Sequence, residues 1–360
     1  MSDQTPLIQS DLTHTALMRL VPEAPSAATR IRRAILGRDG AIILLLIVVW
    51  IVGSATVNNF NTPLTVYYLL LDVFPILLIA LPMTLVIISS EIDLSVASMM
   101  GLSSVIVGAL FQAGVPVWLA CIISLAVGVV GGMLNGFLVT VLGLPSLAVT
   151  VGTLALYRGI AVGILGTTAV TGFPDMWGEI VKARLFGPKT AVPSIIIVFV
   201  VLAILFIVLL HFTRFGRALY STGLNEEASR FSGIRVPRLK FWLFVATGVI
   251  SAFAGLFFTF YYDSARGDNA LGLELSVVAA VLVGGVSIFG GRGALPGVIA
   301  GVLVIGALRS VLRLADVSDD VINVAIGLLL VISVLIPSLL TALRKLRGRG
   351  ARSARSASTS

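Results

Sequence analysis

The sequence predicts an all-α polytopic membrane protein of about ten transmembrane helices in two inverted halves, with a short capped helix on the cytoplasmic side between them. Three observations predict it. Apolar residues fill 58% of the 360 positions against 12% charged, and mean hydropathy is +1.07, far outside the range of a water-soluble globule. Apolar runs long enough to cross a hydrocarbon layer of about 30 Å as helices recur down the whole length, without the alternation that barrel strands require. One long polar island, His211 to Lys240, divides the chain, with six Lys and Arg against Glu226 and Glu227. A short loop so rich in positive charge stays in the cytoplasm, which sets the topology.

The first 38 residues hold no apolar core of signal-peptide length, and Arg30, Arg32, Arg33 and Arg38 precede the first span, so an uncleaved cytoplasmic N-terminal segment is expected. The transmembrane body then covers 39–340, and a basic cytoplasmic tail covers 341–360. Expected spans are about Ala41–Val57, Val66–Ile88, Val96–Ala113, Val117–Val139 and Ser146–Leu165. After the island's external counterpart, Gly166–Pro193, they resume at about Ser194–Leu210, Phe241–Phe260, Glu274–Phe289, Val298–Leu312 and Val321–Ile336. In the fourth, Gly128, Gly132 and Gly136 repeat every four residues, which lets a neighbouring backbone approach closely. Trp177 in the external segment is expected at the membrane interface.

Ile92-Asp-Leu-Ser-Val-Ala and Leu273-Glu-Leu-Ser-Val-Val form an internal repeat, each followed by a small-residue-rich apolar run, a proline and another span. Five expected crossings separate the copies. An odd number inverts one half relative to the other, an arrangement that brings interrupted helices together near the bilayer midplane.

Within the island, Gly223-Leu-Asn225-Glu-Glu-Ala228 opens a helix of about two turns. Asn225 can cap its free amides, Glu226 and Glu227 suit the positive end of its dipole, and Gly233 can close it in a left-handed conformation. Such a helix is either a handle for another protein or a solvated connector, and charge and caps leave both open.

Charges inside spans need a protein partner or water. Glu91, Asp93 and Ser95 at the first repeat, Arg158 beside Tyr157, and Glu274 with Ser276 at the second are the candidates for a translocation path, since such groups hydrogen-bond a sugar-like solute well. Taken singly, each serves equally well as a cap or ion pair in a broken helix. Asp72 and Arg309 read as interhelical partners or interfacial residues rather than solute contacts.

Several classes are excluded or disfavoured. GxxxxGK[ST] is absent and Gly291-Arg-Gly293 does not complete GxGxxG, so the chain has no nucleotide cradle and no catalytic set of its own. Cys121 is the only cysteine, and His14 and His211 stand far apart, which leaves no intrachain disulfide or metal centre. The net charge of +8 lies in the termini and the island; it reports orientation and attraction to anionic lipid headgroups, not nucleic acid.

A family resemblance gathers these features. Glu91-Ile-Asp-Leu-Ser-Val-Ala-Ser98, Leu134-Asn-Gly136, Leu144 through Tyr157-Arg-Gly159, Gly223-Leu-Asn-Glu-Glu-Ala228 and Val283 through Gly291 resemble the ribose-type ABC importer permeases, with Ser264-Ala-Arg-Gly-Asp268 nearest their rhamnose and autoinducer-2 subset. The resemblance covers about 40–340. Ser229 departs from the family's usual second Ala. It implies a monosaccharide permease of the bacterial inner membrane, with both termini cytoplasmic, that binds no cofactor and leaves ATP and Mg to a separate ATPase subunit. Gly223, Asn225, Glu226, Glu227, Ala228 and Gly233 would form a coupling helix docked in that ATPase, and Asn135 would join the path residues. An extracytoplasmic sugar-binding protein and a second permease subunit, identical or related, complete the implied assembly. The competing class is an inverted-repeat secondary transporter coupled to an ion gradient.

Overall fold

The computed structural model describes residues 38–333 except 188, together with 335; the basic tail and all but the last residue of the N-terminal segment lie outside the described residues. Twelve helices follow in order: α1 Arg38–Thr56, α2 Pro63–Ile88, α3 Val96–Gln112, α4 Val117–Thr140, α5 Ser146–Leu165, α6 Asp175–Lys182, α7 Ile196–Phe212, α8 Arg214–Leu224, α9 Glu226–Phe231, α10 Val236–Tyr262, α11 Leu273–Val283 and α12 Leu295–Leu314. Residues 319–333 add a further helical run. Helices α2, α4, α5, α10 and α12 are long and apolar enough to cross a membrane, while α3, α11 and residues 40–56 of α1 are shorter apolar helices. The chain is a multi-pass membrane protein.

Helix α2 is the centre of the bundle. Its most apolar eighteen residues are 94% buried, and Leu77 through Ile88 is sealed on all sides. Pro63 opens it and Thr62 caps it, accepting from the Thr65 amide; Pro75 and Pro82 lie inside, as packed membrane helices tolerate. The close approach expected on α4 is made with α10. A Cβ on Gly132 would stand 2.5 Å from the Phe244 carbonyl oxygen and one on Gly128 would stand 2.7 Å from that of Gly248. Deeper in the same bundle, Ser103 and Ser124 share a hydrogen bond (2.6 Å) and the Ser103 hydroxyl donates to the Ala252 carbonyl (2.7 Å), stitching α3, α4 and α10.

Both copies of the repeated word begin a short apolar helix, and the two helices run in opposite senses. The start of α3 lies at the end of the bundle where Ser90 donates to the Gly223 and Phe289 carbonyls. The other end of α3 meets the opposite pole, where Phe111 stacks on Phe173 (4.8 Å) and Val170 bridges to Ala265. Helix α11 follows a loop in which Asn269 donates to Ser104, midway along α3 (2.9 Å), and it stops at Val283; the following turn returns to the first end, with the Gly291 amide donating to the Ile88 carbonyl (2.8 Å).

One element departs from the sequence expectation, and the external segment gains a helix of its own. The eighth apolar run was expected to reach Phe289, but Gly284 and Gly285, the latter at φ +90°, end the helix six residues earlier. The external segment contains α6, pinned by Asp263, which accepts from the Phe173 amide (3.1 Å), and by the Tyr67 hydroxyl on the Lys182 carbonyl. In the same segment, the half-buried Trp177 stacks on Phe260 at 5.1 Å.

Replacing Gly132 by Leu should destabilise the α4–α10 contact by at least the ~1–3 kcal/mol typical of overpacking. The expected result is a lower midpoint of thermal aggregation in detergent, while Leu at Gly163, which has open space around its Cα, leaves the midpoint unchanged.

Candidate functional site

The polar island folds as two helices, not as a loop around one. Helix α7 bends by 68° into α8 at Thr213, whose hydroxyl accepts from the Gly216 amide. Helix α8 buries Gly216, Leu219, Thr222 and Gly223 at three- and four-residue spacing, the stripe of an amphipathic surface helix. Gly223 therefore belongs to α8. A side chain there would strike the Ile88 carbonyl and the Gly291 amide, so this residue packs against the bundle and does not open α9 toward solvent.

Asn225 joins the two helices. Its backbone amide donates to Ser221, closing α8, and its side-chain oxygen accepts from the Ala228 amide at 2.9 Å, capping α9. Gly233 sits at φ +83°, with the Ile234 amide on the Ser229 carbonyl, a left-handed helix end. Asn225, Glu227 and Ala228 are exposed. Ser229, the departure from the family wording, is only 1% exposed and shares a hydrogen bond with Ser221 (2.9 Å), so it packs α9 onto α8 and faces away from any partner.

Glu226 turns inward. Lys240, 7% exposed near the start of α10, places its ammonium 2.5 Å from a Glu226 oxygen and 2.5 Å from a Glu91 oxygen, and Arg230 reaches the other Glu226 oxygen at 2.6 Å. Burial alone would raise the Glu226 carboxyl pKa, but hydrogen bonds and charge from Lys240 and Arg230 outweigh it and hold the pKa below the usual value. The structure thus takes Glu91 out of the group it was expected to join and ties it to α9.

The remaining first-repeat residues form one closed network. Asp93 accepts from the Ser95 amide (3.0 Å) and hydroxyl (2.6 Å) with one oxygen, and from the Thr247 hydroxyl (2.6 Å) with the other. Asn135 donates to the Ser95 hydroxyl (2.8 Å), and Tyr157 donates to the Gly131 carbonyl (2.9 Å), with the Asn135 side-chain oxygen 3.5 Å away. All five side chains are buried. The arrangement starts α3 and locks it to α4, α5 and α10, with each group satisfied inside the protein.

Arg158 serves a different place. Its guanidinium donates to the Gly267 and Asn269 carbonyls (2.6 and 2.8 Å), holding the loop after α10, and Glu274 lies close enough to interact with its charge. Ser276 accepts from Arg309 (2.9 Å), the interhelical role expected of that arginine. Asp72 likewise meets Tyr261 (3.3 Å) on α10 and Arg313 (3.7 Å) on α12.

At the pole opposite α9, a cavity of about 1050 Å³ opens between α2, α10, α11, α12 and the last helical run. Of the eight residues assigned to a path from sequence, Ser276 alone lines it. Tyr68 and Asp72 of α2, Tyr261 and Tyr262 of α10, and Arg309 and Arg313 of α12 also line it, and only the packing of these three distant helices brings them together.

The family model for the permease component of branched-chain amino acid transport systems matches residues 65–334, which include every site residue above. The chain belongs to this permease family. Among its relatives, the autoinducer 2 import system permease protein LsrD of Klebsiella pneumoniae is 35% identical over 264 residues, 72% of this chain and 78% of that one. The protein of the same name from Yersinia enterocolitica is 34% identical over 263 residues, 71% and 78% of the two chains. That from Enterobacter sp. (strain 638) is 34% identical over 264 residues, 72% and 80%. No solved structure matches. The permease is a transport-system component, and its buried polar groups are accordingly read as machinery for movement and packing.

Lys240→Met in this permease leaves Glu91 and Glu226 facing each other without their cation. The expected cost lies between the ~1 kcal/mol of an exposed pair and the ~3–5 kcal/mol of a buried one, seen as a lower thermal midpoint and relieved in part by adding Glu226→Gln. Because the Glu226 pKa is lowered, its stabilising tie is full above the ordinary carboxylate pKa and lost as pH falls through the lowered value. The difference between wild type and Glu226→Gln should therefore persist at neutral pH and vanish in strong acid.

Proposed function

We propose that the chain is the membrane-spanning permease subunit of an ATP-binding-cassette importer that carries a small sugar or sugar-like solute, such as autoinducer 2 or rhamnose, into the bacterial cytoplasm. The observation that carries this reading is α9: a capped helix with Asn225, Glu227 and Ala228 exposed on one side and Glu226 tied inward through Lys240 to Glu91, just before α3. A helix so built can receive a push from a partner and pass it to a broken segment of the bundle. The relatives' names supply the solute class.

In this reading α9 is the coupling helix, and ATP and Mg bind to the separate ATPase on which it docks. The five long helices, together with α1, α3, α7, α11 and the 319–333 run, make about ten crossings in two inverted halves, an arrangement supported by the opposed directions of α3 and α11. In this reading α9 and both termini lie in the cytoplasm of an inner-membrane protein, which the basic 211–240 stretch supports. A sugar-binding protein delivers solute to the opposite pole, and a second permease subunit, surrounded by membrane lipid, completes the path. The exposed apolar residues along α4, α5 and α7 are available to lipid and to that subunit.

Ala228→Trp tests the reading. With Trp at this exposed position, the protein should still insert and fold, ATP hydrolysis by the partner should continue, and uptake should fall by about tenfold or more, the equivalent of losing about 1.4 kcal/mol of productive docking. Normal uptake would count against α9 as the coupling element. Uptake by energised vesicles that contain no ATP would instead place the chain among ion-coupled transporters.

A further inference from the structure

We propose that the cavity opposite α9 is where this permease holds its solute, and that it is built for an uncharged polyhydroxylated molecule. The assignment rests on the permease reading and adds the site and its chemistry. At about 1050 Å³ the space lies at the upper end of small-molecule sites, usually about 300–1,000 Å³.

Asp72 is the starting point. It sits near the middle of α2, the most apolar and most buried helix of the bundle, yet its side chain is 40% exposed, and the space it faces is this cavity. A carboxylate at membrane depth faces protein or water, not lipid. Its neighbours leave room for a ligand: Tyr261 is at 3.3 Å and Arg313 at 3.7 Å, so both contacts are long. Arg309 donates to Ser276 but its Nε, buried in the wall, has no hydrogen-bond partner in the protein. A carboxylate that is exposed to the cavity and has only two long contacts marks a place where an incoming molecule can complete the hydrogen bonding.

Charge and shape select the ligand. The lining acids Asp72, Asp268 and Asp319 are matched by Arg266, Arg309 and Arg313, so the cavity has no net charge to attract an ion. Tyr68, Tyr261 and Tyr262 add ring faces and hydroxyls; Tyr261 and Tyr262 lie 4.6 Å apart at 63°, a corner of two rings. Aromatic faces take C–H surfaces, while Asp and Arg take adjacent hydroxyls in pairs, the combination that suits a sugar. The floor is apolar, with Val73, Ile76 and Ala279, and below it α2 is sealed toward α9. The cavity is therefore a cup open at one pole and shut at the other, one end-state of an alternating path.

The test uses the assembled importer, with its ATPase, in right-side-out vesicles. In a Cys121→Ser chain, Ser310→Cys places a thiol on the cavity wall, and Asn323→Cys provides a second position if the first does not insert. A membrane-impermeant methanethiosulfonate should modify the thiol from outside and abolish uptake, and either autoinducer 2 or rhamnose should slow modification severalfold. Asp72→Asn and Tyr261→Phe should each raise the half-saturating solute concentration about tenfold, the effect of one lost hydrogen bond to a charged group. Modification that leaves uptake intact, or modification at an unchanged rate with both solutes present, overturns the cavity assignment while unmodified ATP-driven uptake keeps the permease reading standing. Absence of ATP-dependent uptake in the Cys121→Ser parent overturns both.

Discussion

A buried ammonium held between two carboxylates is the interaction on which the rest of the structure depends. Lys240 draws Glu91, at the end of α2, and Glu226, at the start of α9, to one point, and Arg230 completes a group with no net charge. Buried ions are tolerated only when paired in this way. The consequence is mechanical: α9 cannot shift or rotate without moving either the first turns of α10, which carry Lys240, or the extended segment ahead of α3.

The motion then has a defined route into the bundle. Past Glu91, Asp93 and Ser95 anchor the start of α3 to Thr247 of α10 and, through Asn135 and Tyr157, to α4 and α5. Because every polar group in this network is satisfied internally, it behaves as a rigid joint and not as a wet passage. The open region lies elsewhere, at the far pole, where the exposed Asp72 and the half-buried Arg309 line the cavity. Lever, joint and cup therefore occupy successive levels of one bundle, with the glycine-lined α4–α10 contact as the frame that keeps them in register.

Features with a local physical cause were legible in the sequence. The caps at Asn225 and Gly233, the proline-opened helices and the glycine stripe on α4 follow from one residue type at one position, and the structure contains each of them. Helix α8 is hidden in the polar island because its composition is mixed; its cue is the Gly216, Leu219, Thr222, Gly223 spacing. The apolar run after Glu274 hid its own end, since Gly284 and Gly285 interrupt it without any change in hydropathy.

What was not legible depends on distance along the chain. Glu91 and Lys240 are 149 positions apart, and Asp72 and Tyr261 are 189, so local pattern could place neither pair. Glu91 and Asp93 group together in sequence, and in a regular extended segment residues two apart share a side; the stretch here is irregular, following Ser90 at φ +65°, and it sends Glu91 to Lys240 beside α9 and Asp93 into the bundle. The central claim, that α9 is a cytoplasmic lever, is tested most directly by the sidedness of its exposed face. In a Cys121→Ser chain carrying Glu227→Cys, a membrane-impermeant thiol reagent should leave intact cells unlabelled and react once the inner membrane is opened; labelling through an intact inner membrane would contradict the account.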